Sequence, residues 1–165
     1  MFKIFTMPFM RSCILLLVCA GCQPAFAEDH WSLNFYGYLK HVDREPGYRE
    51  GGMDYFGVSK EASYEAYQFD SGANTFIDTF GKRSYSVFSD VSHADFVYGM
   101  LTPMLRLTCI HKGRGSDTSR MVTNCYAVPK IRIGARTGLF ADVTLIPQIG
   151  DYADAMGMVE FGYKW

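Results

Sequence analysis

Wherever this chain has a pattern it is an alternation with a period of two, and the alternation continues to Trp165. In "GMVEFGYKW" (157–165), Val159, Phe161, Tyr163 and Trp165 share one parity, and Glu160, Gly162 and Lys164 share the other. Period two describes a strand with two unlike faces. A terminus in water usually frays into polar residues, so an aromatic parity carried to the end calls for an apolar medium on one face and a polar interior on the other. Between Ala27 and Trp165 no segment of ten or more residues holds a 3.6-residue apolar stripe. Alternating stretches recur at 31–41, 53–60, 64–70, 84–91, 95–110, 121–133, 139–147 and 157–165, and each is expected to form a strand.

The connections differ in kind. After the second, fourth and sixth stretches they are short ("EAS", "SHA", "GARTG"), whereas after the first, third, fifth and seventh they are longer and richer in Gly and charge, as in "VDREPGYREGG" and "HKGRGSDTSR". Tight turns at one end and long loops at the other are the pattern of an outer-membrane barrel. Charged residues fall at mid-strand. Arg106, Lys130, Arg132, Asp142, Glu160 and Lys164 share the parity opposite Leu105, Leu107, Ile131, Ile133, Val143 and Phe161. In a soluble barrel they would face water on the outside; in a small membrane barrel they would face inward and neutralise one another. The alternation fits both, and the aromatic end favours the membrane. Phe161, Tyr163 and Trp165 form the terminal pattern used by the outer-membrane assembly machinery. The expected fold is all-β: an eight-stranded antiparallel up-and-down transmembrane β-barrel, with a soluble eight-stranded carrier barrel as the alternative.

The N-terminus reads as an export signal. Lys3 and Arg11 precede the short apolar core "CILLLVCAG", and Ala25 and Ala27 provide a processing site. The core is about half the ~20 residues of a spanning helix. Residues 1–27 are therefore expected to be a cleaved signal peptide and 28–165 the barrel domain; "CAGC", ending at Cys22, leaves a lipoprotein signal as the alternative. The exported part retains Cys109 and Cys125. In an oxidising compartment an even pair defaults to a disulfide, and both lie on the outward parity of neighbouring strands; two separate thiols are the other reading. A bridge would clip a loop worth about 3 kcal/mol. No CxxC or HxxxH spacing suggests a metal, and no cofactor is expected. A formal charge of −1 offers no surplus for a nucleic-acid partner. The expected partners are outer-membrane lipids and the assembly machinery, and the expected state is a monomer.

The stretch "VPKIRIGARTGLFADVTLIPQ", with Pro129, Gly134, Ile146 and Pro147, resembles the sixth-to-seventh strand region of the lipid A palmitoyltransferase (PagP) family. The segment "IDTFGKRSY" (77–85) is similar to the one bearing that family's Asp-Ser pair, and "VEFGYKW" to its closing strand. The resemblance implies an eight-stranded outer-membrane barrel that moves an acyl chain from a phospholipid to lipid A, using a His, an Asp and a Ser near the outer surface. On this chain the matching pair is Asp78 and Thr79, with Thr in place of Ser, and Asp70 and Ser71 are the alternative pair. His41 is the best-placed base; His30, His93 and His111 lie in turns or loops. Acyl transfer needs such a base close to a hydroxyl and oriented by an acid. Because Thr adds a methyl where close approach is required, the expected function is that of a non-catalytic small barrel acting through its outer loops or its presence in the membrane. A lipid A acyltransferase is the first alternative and a soluble carrier of a lipophilic ligand the second. A pore is not expected, since side chains nearly fill an eight-stranded lumen.

Overall fold

The computed structural model describes residues 30–42, 51–114, 117–147 and 155–165. The expected signal segment, with Cys22, lies outside them. The strands are β1 (Trp31–His41), β2 (Gly51–Met53), β3 (Phe56–Tyr64), β4 (Tyr67–Ile77), β5 (Arg83–His93), β6 (Leu101–Arg114), β7 (Asp117–Gly134), β8 (Gly138–Ile146) and β9 (Met156–Lys164). Both β2 and β3 pair with β1, so they are two pieces of one stave, broken at Asp54 and Tyr55. Every neighbour is antiparallel, and β1 also pairs with β9 along nearly its whole length. Eight staves thus close into an up-and-down barrel, as the alternation implied. Reciprocal backbone hydrogen bonds of 3.0 Å between Trp31 and Trp165 finish the seam.

Among the described residues, register shifts interrupt the ladders between Gly113 and Arg114 on β6 and within β1. In β1 the register to β9 shifts between Asn34 and Tyr36, and Phe35 and Tyr36 both point outward. This β-bulge moves the inward set from Ser32 and Asn34 to Gly37, Leu39 and His41. Without it the one-residue slip would turn Tyr38 and Lys40 into the lumen.

Several strand boundaries differ from the sequence reading: the long loop expected at 111–120 is shortened because β6 runs on to Arg114 and β7 starts at Asp117, and three further differences have a local reason. The hairpin expected at 61–63 turns instead at Glu65 and Ala66, where Glu65 adopts a φ of 53° and Tyr64 pairs with Tyr67. The long loop expected after the third strand is absent: β4 runs on to Ile77, leaving only the five residues 78–82 as a turn. The turn expected at 92–94 lies at 94–100, shaped by a 3-10 turn at Ala94–Phe96 that the His93 side chain caps by accepting from the Asp95 N–H, and by Gly99 at a φ of 62°.

The outside of the barrel is apolar. Leu105, Leu107, Ile131, Ile133, Leu139 and Leu145 are all exposed, as are the rings of Trp31, Tyr163 and Trp165 at the end that carries the seam. A patch of this extent would be a liability in water, whereas an apolar band with aromatic rims is the surface of a membrane barrel.

The interior packs large side chains against glycines. Phe140 lies between Gly134 on β7 and Gly162 on β9, and Phe88 lies opposite Gly72 on β4. A Cβ on Gly162 would come within 2.3 Å of the Phe140 ring and 2.8 Å of the Leu33 carbonyl oxygen. The carbonyl belongs to the backbone and cannot swing aside. Gly162→Val should therefore destabilise the barrel by about 1–3 kcal/mol, or prevent refolding, as read from urea titrations of heat-modifiable migration on unboiled gels.

Candidate functional site

The barrel interior has two halves. Towards the end with the seam it is filled by ion pairs. Arg106 on β6 donates from Nε and Nη2 to the two carboxylate oxygens of Asp90 at 2.7 and 3.0 Å, and from Nη1 to Glu160 on β9 at 2.7 Å. Lys130 bridges Asp90 and Asp142. Arg132 donates to both oxygens of Asp142 at 2.8 and 2.9 Å and lies 2.9 Å from Asp70, and Lys164 donates to Glu61 at 2.8 Å. The Arg106 guanidinium also stacks 4.3 Å from the Phe88 ring centroid, and that of Arg132 lies 4.1 Å from Phe140. All six charged residues read as inward from parity are in this network. Glu61, Asp70 and Asp90 complete it. Their signal was present in the sequence for Asp90, which alternates with Val87, Ser89 and Val91 in "SYSVFSDV".

Above this plug, Tyr55 donates its hydroxyl hydrogen to Glu160. The Asn74 side-chain amide donates to the Tyr55 oxygen at 2.5 Å, and Ser86 donates to Asn74 at 2.6 Å. These bonds cross the lumen and form a floor. Over it stands a cavity walled by Leu39, Met53, Phe76, Val128, Ile146 and Met158, with Asp78, Thr79 and Lys112 also lining it. Only about 60 Å³ admits the centre of a water-sized sphere, enough for a few waters. The lumen is therefore a shallow cup, sealed below and apolar along its walls.

The candidate residues separate in space. Asp78 is the hub of the 78–82 turn. Its Oδ1 accepts from the N–H groups of Phe80 and Lys82 at 3.0 and 2.9 Å, and its Oδ2 from the Ser84 hydroxyl at 2.9 Å and the Gly113 N–H at 3.3 Å. Both oxygens are thus engaged in holding β4, β5 and β6 together. Thr79 lies beside it at the cup. His41, buried at the end of β1, lines a lateral recess with Pro129, Leu145, Pro147 and Met156. The recess follows from the β7–β8 ladder, which covers only Lys130–Gly134 on β7; Pro129, the next residue, has no N–H to donate. Asp70 and Ser71, adjacent in β4, point to opposite faces: Asp70 faces Arg132 in the lumen, and the Ser71 hydroxyl meets that of Ser89 at 2.9 Å. Among the other histidines, the His30 carbonyl accepts from the Glu61 N–H, and His111 bonds Thr123 at 2.9 Å on the outward face.

Cys109 and Cys125 form a disulfide. They are direct partners in the β6–β7 ladder, which continues beyond them through Gly113↔Met121. The bridge therefore rivets a paired ribbon, where the sequence had suggested a clip on a mobile loop.

The sequence matches no family model and no curated protein. Among solved structures, the outer membrane protein Ail of Yersinia pestis, determined as a backbone structure in a phospholipid bilayer nanodisc, superimposes with a TM-score of 0.52. It is 14% identical, and the alignment covers 85% of this chain and all of that one. The shared feature is the fold, a small eight-stranded barrel of the outer-membrane type.

Two predictions follow from the plug and the rivet. Removing the side chain of Arg106 leaves Asp90 and Glu160 buried without their shared partner, so Arg106→Ala should cost about 3–5 kcal/mol; urea midpoints of the refolded barrel provide the measure. Thiol labelling of unreduced protein should find neither Cys109 nor Cys125 free. Cys109→Ser with Cys125→Ser should still give a folded, heat-modifiable barrel, less stable by up to about 3 kcal/mol.

Proposed function

We propose that this protein is an integral outer-membrane barrel without catalytic activity, working as a monomer through its loop end. The observation that carries the reading is the filled lumen inside an apolar exterior. Ion pairs and the Tyr55–Glu160 floor leave no continuous path for solutes, while the outward leucines, isoleucines and aromatic rings suit lipid. What remains available for function is the end bearing the loops and the cup. Phe161, Tyr163 and Trp165, all outward, fit the role of the assembly signal read by the insertion machinery, and their exposure argues against a soluble periplasmic carrier. Export by a cleaved signal at 1–27 belongs to the same reading.

The acyltransferase alternative draws on the apolar cup, with Thr79 at its wall, and on the recess beside His41. Against it stands the Asp78 carboxylate, whose four hydrogen bonds to its own turn and to β5 and β6 support a structural role better than orientation of an imidazole. After membrane fractionation the protein should pellet with outer membranes through a carbonate wash and show no conductance in planar bilayers. Mass analysis of lipid A from expressing cells should be unchanged. Recovery in the soluble periplasm would overturn the membrane reading. An added acyl mass that vanishes in His41→Ala or Asp78→Ala would replace the inert barrel with the enzyme.

A further inference from the structure

Three of the six methionines that follow residue 27 meet in one place, the mouth of the cup. Met156 and Met158 are two residues apart on β9 and both turn inward. Met53 comes from β2, with β1 between them, yet Gly37 leaves that intervening strand bare: the Met53 methyl lies 3.1 Å from where a Gly37 Cβ would be. The thioether of Met53 is thereby laid across β1 towards β9, where Met158 stands one inward row above, opposite Leu39. All three side chains line the same cavity. His41, also inward, is the direct cross-strand partner of Met156.

Flexible methionines fill irregular gaps in cores, and all three belong to the apolar cluster around Leu39, Tyr55 and Phe76. Three thioethers lining one cavity are also a donor set of a definite kind. Thioether sulfur is a soft, uncharged ligand that selects copper(I) and similar ions over magnesium, calcium or zinc.

We propose that the mouth of the cup binds one soft monovalent cation, copper(I) or silver(I), through Met53, Met156 and Met158. The donors are neutral thioethers, and the ion is bound in the monovalent state in which it is supplied. It lies at the loop end of the barrel, on the other side of the floor from the plug. The apolar wall around the donors excludes harder, strongly hydrated ions, which would have to shed water for ligands that stabilise them poorly.

The test uses the exported protein in detergent, with methionine ε-methyl groups carbon-13 labelled and silver(I) nitrate added in chloride-free buffer. The cysteines, being in a disulfide, do not compete. The expected result is saturation at one equivalent, with the Met53, Met156 and Met158 methyl resonances shifted and those of Met100, Met104 and Met121 unmoved. Met100 and Met121 are exposed on the outside, and Met104 is buried deeper in the barrel, which makes them internal controls. The variant with Met53→Leu, Met156→Leu and Met158→Leu conserves volume; it should keep heat-modifiable migration and lose the stoichiometric binding. Single Met→Leu variants, each removing one shifted resonance and weakening binding, decide the matter if the triple variant does not fold. No saturation at one equivalent, equal shifts at Met100 and Met121, or retention of binding in the variants would overturn the proposal.

Discussion

Arg106 is the residue on which the interior turns. A buried guanidinium is costly unless every donor has an acceptor, and here it is shared between Asp90 on the adjacent strand, Glu160 across the barrel and the face of Phe88. Each carboxylate is in turn shared: Asp90 with Lys130, Glu160 with Tyr55. Through Lys130, Asp142, Arg132 and Asp70 these contacts tie β4, β5, β6, β7, β8 and β9 to one another. The glycines follow from the same requirement. Phe140 can lie beside the Arg132 guanidinium only because Gly134 and Gly162 vacate the neighbouring inward positions.

Much of this was legible in the residues. The alternation placed Arg106, Lys130, Arg132, Asp142, Glu160 and Lys164 on one parity, and all six are in the lumen. Which acid meets which base was not legible, because those pairs depend on how far the sheet is sheared when β9 meets β1, and the pattern along one strand carries no information about that offset. The bulge at Phe35 escaped for a related reason: both Phe35 and Tyr36 look outward-facing in sequence, and only the register to β9 reveals the extra residue.

The candidate site was harder to read. Asp78 was visible as a polar residue near a turn, but its tight grip on the N–H groups of Phe80, Lys82 and Gly113 arises from a five-residue connection that composition made look longer. Asp70, paired with Ser71 as a candidate, belongs to the ion-pair network, since neighbours in a strand necessarily face opposite ways. Glu61 was read as part of a turn and instead faces Lys164, because the strand runs on to Tyr64. The apolar cup was foreseen by no motif. Its walls come from single residues on many strands, Leu39, Met53, Phe76, Val128, Ile146 and Met158, and have no signature along the chain.

The meeting of Trp31 with Trp165 places the seam between the first and last staves. Until those two strands join, two rows of backbone N–H and C=O groups face the medium, and hydrocarbon offers them no substitute partner. A half-built sheet of this kind is tolerable beside an assembly factor that lends its own edge, and intolerable alone in lipid. Stability in the membrane is thus acquired in one step, when the ends of the pattern find each other. The barrel has no stable smaller version of itself, which makes closure a checkpoint at which chains with a wrong register anywhere along the sheet are denied a place in the bilayer.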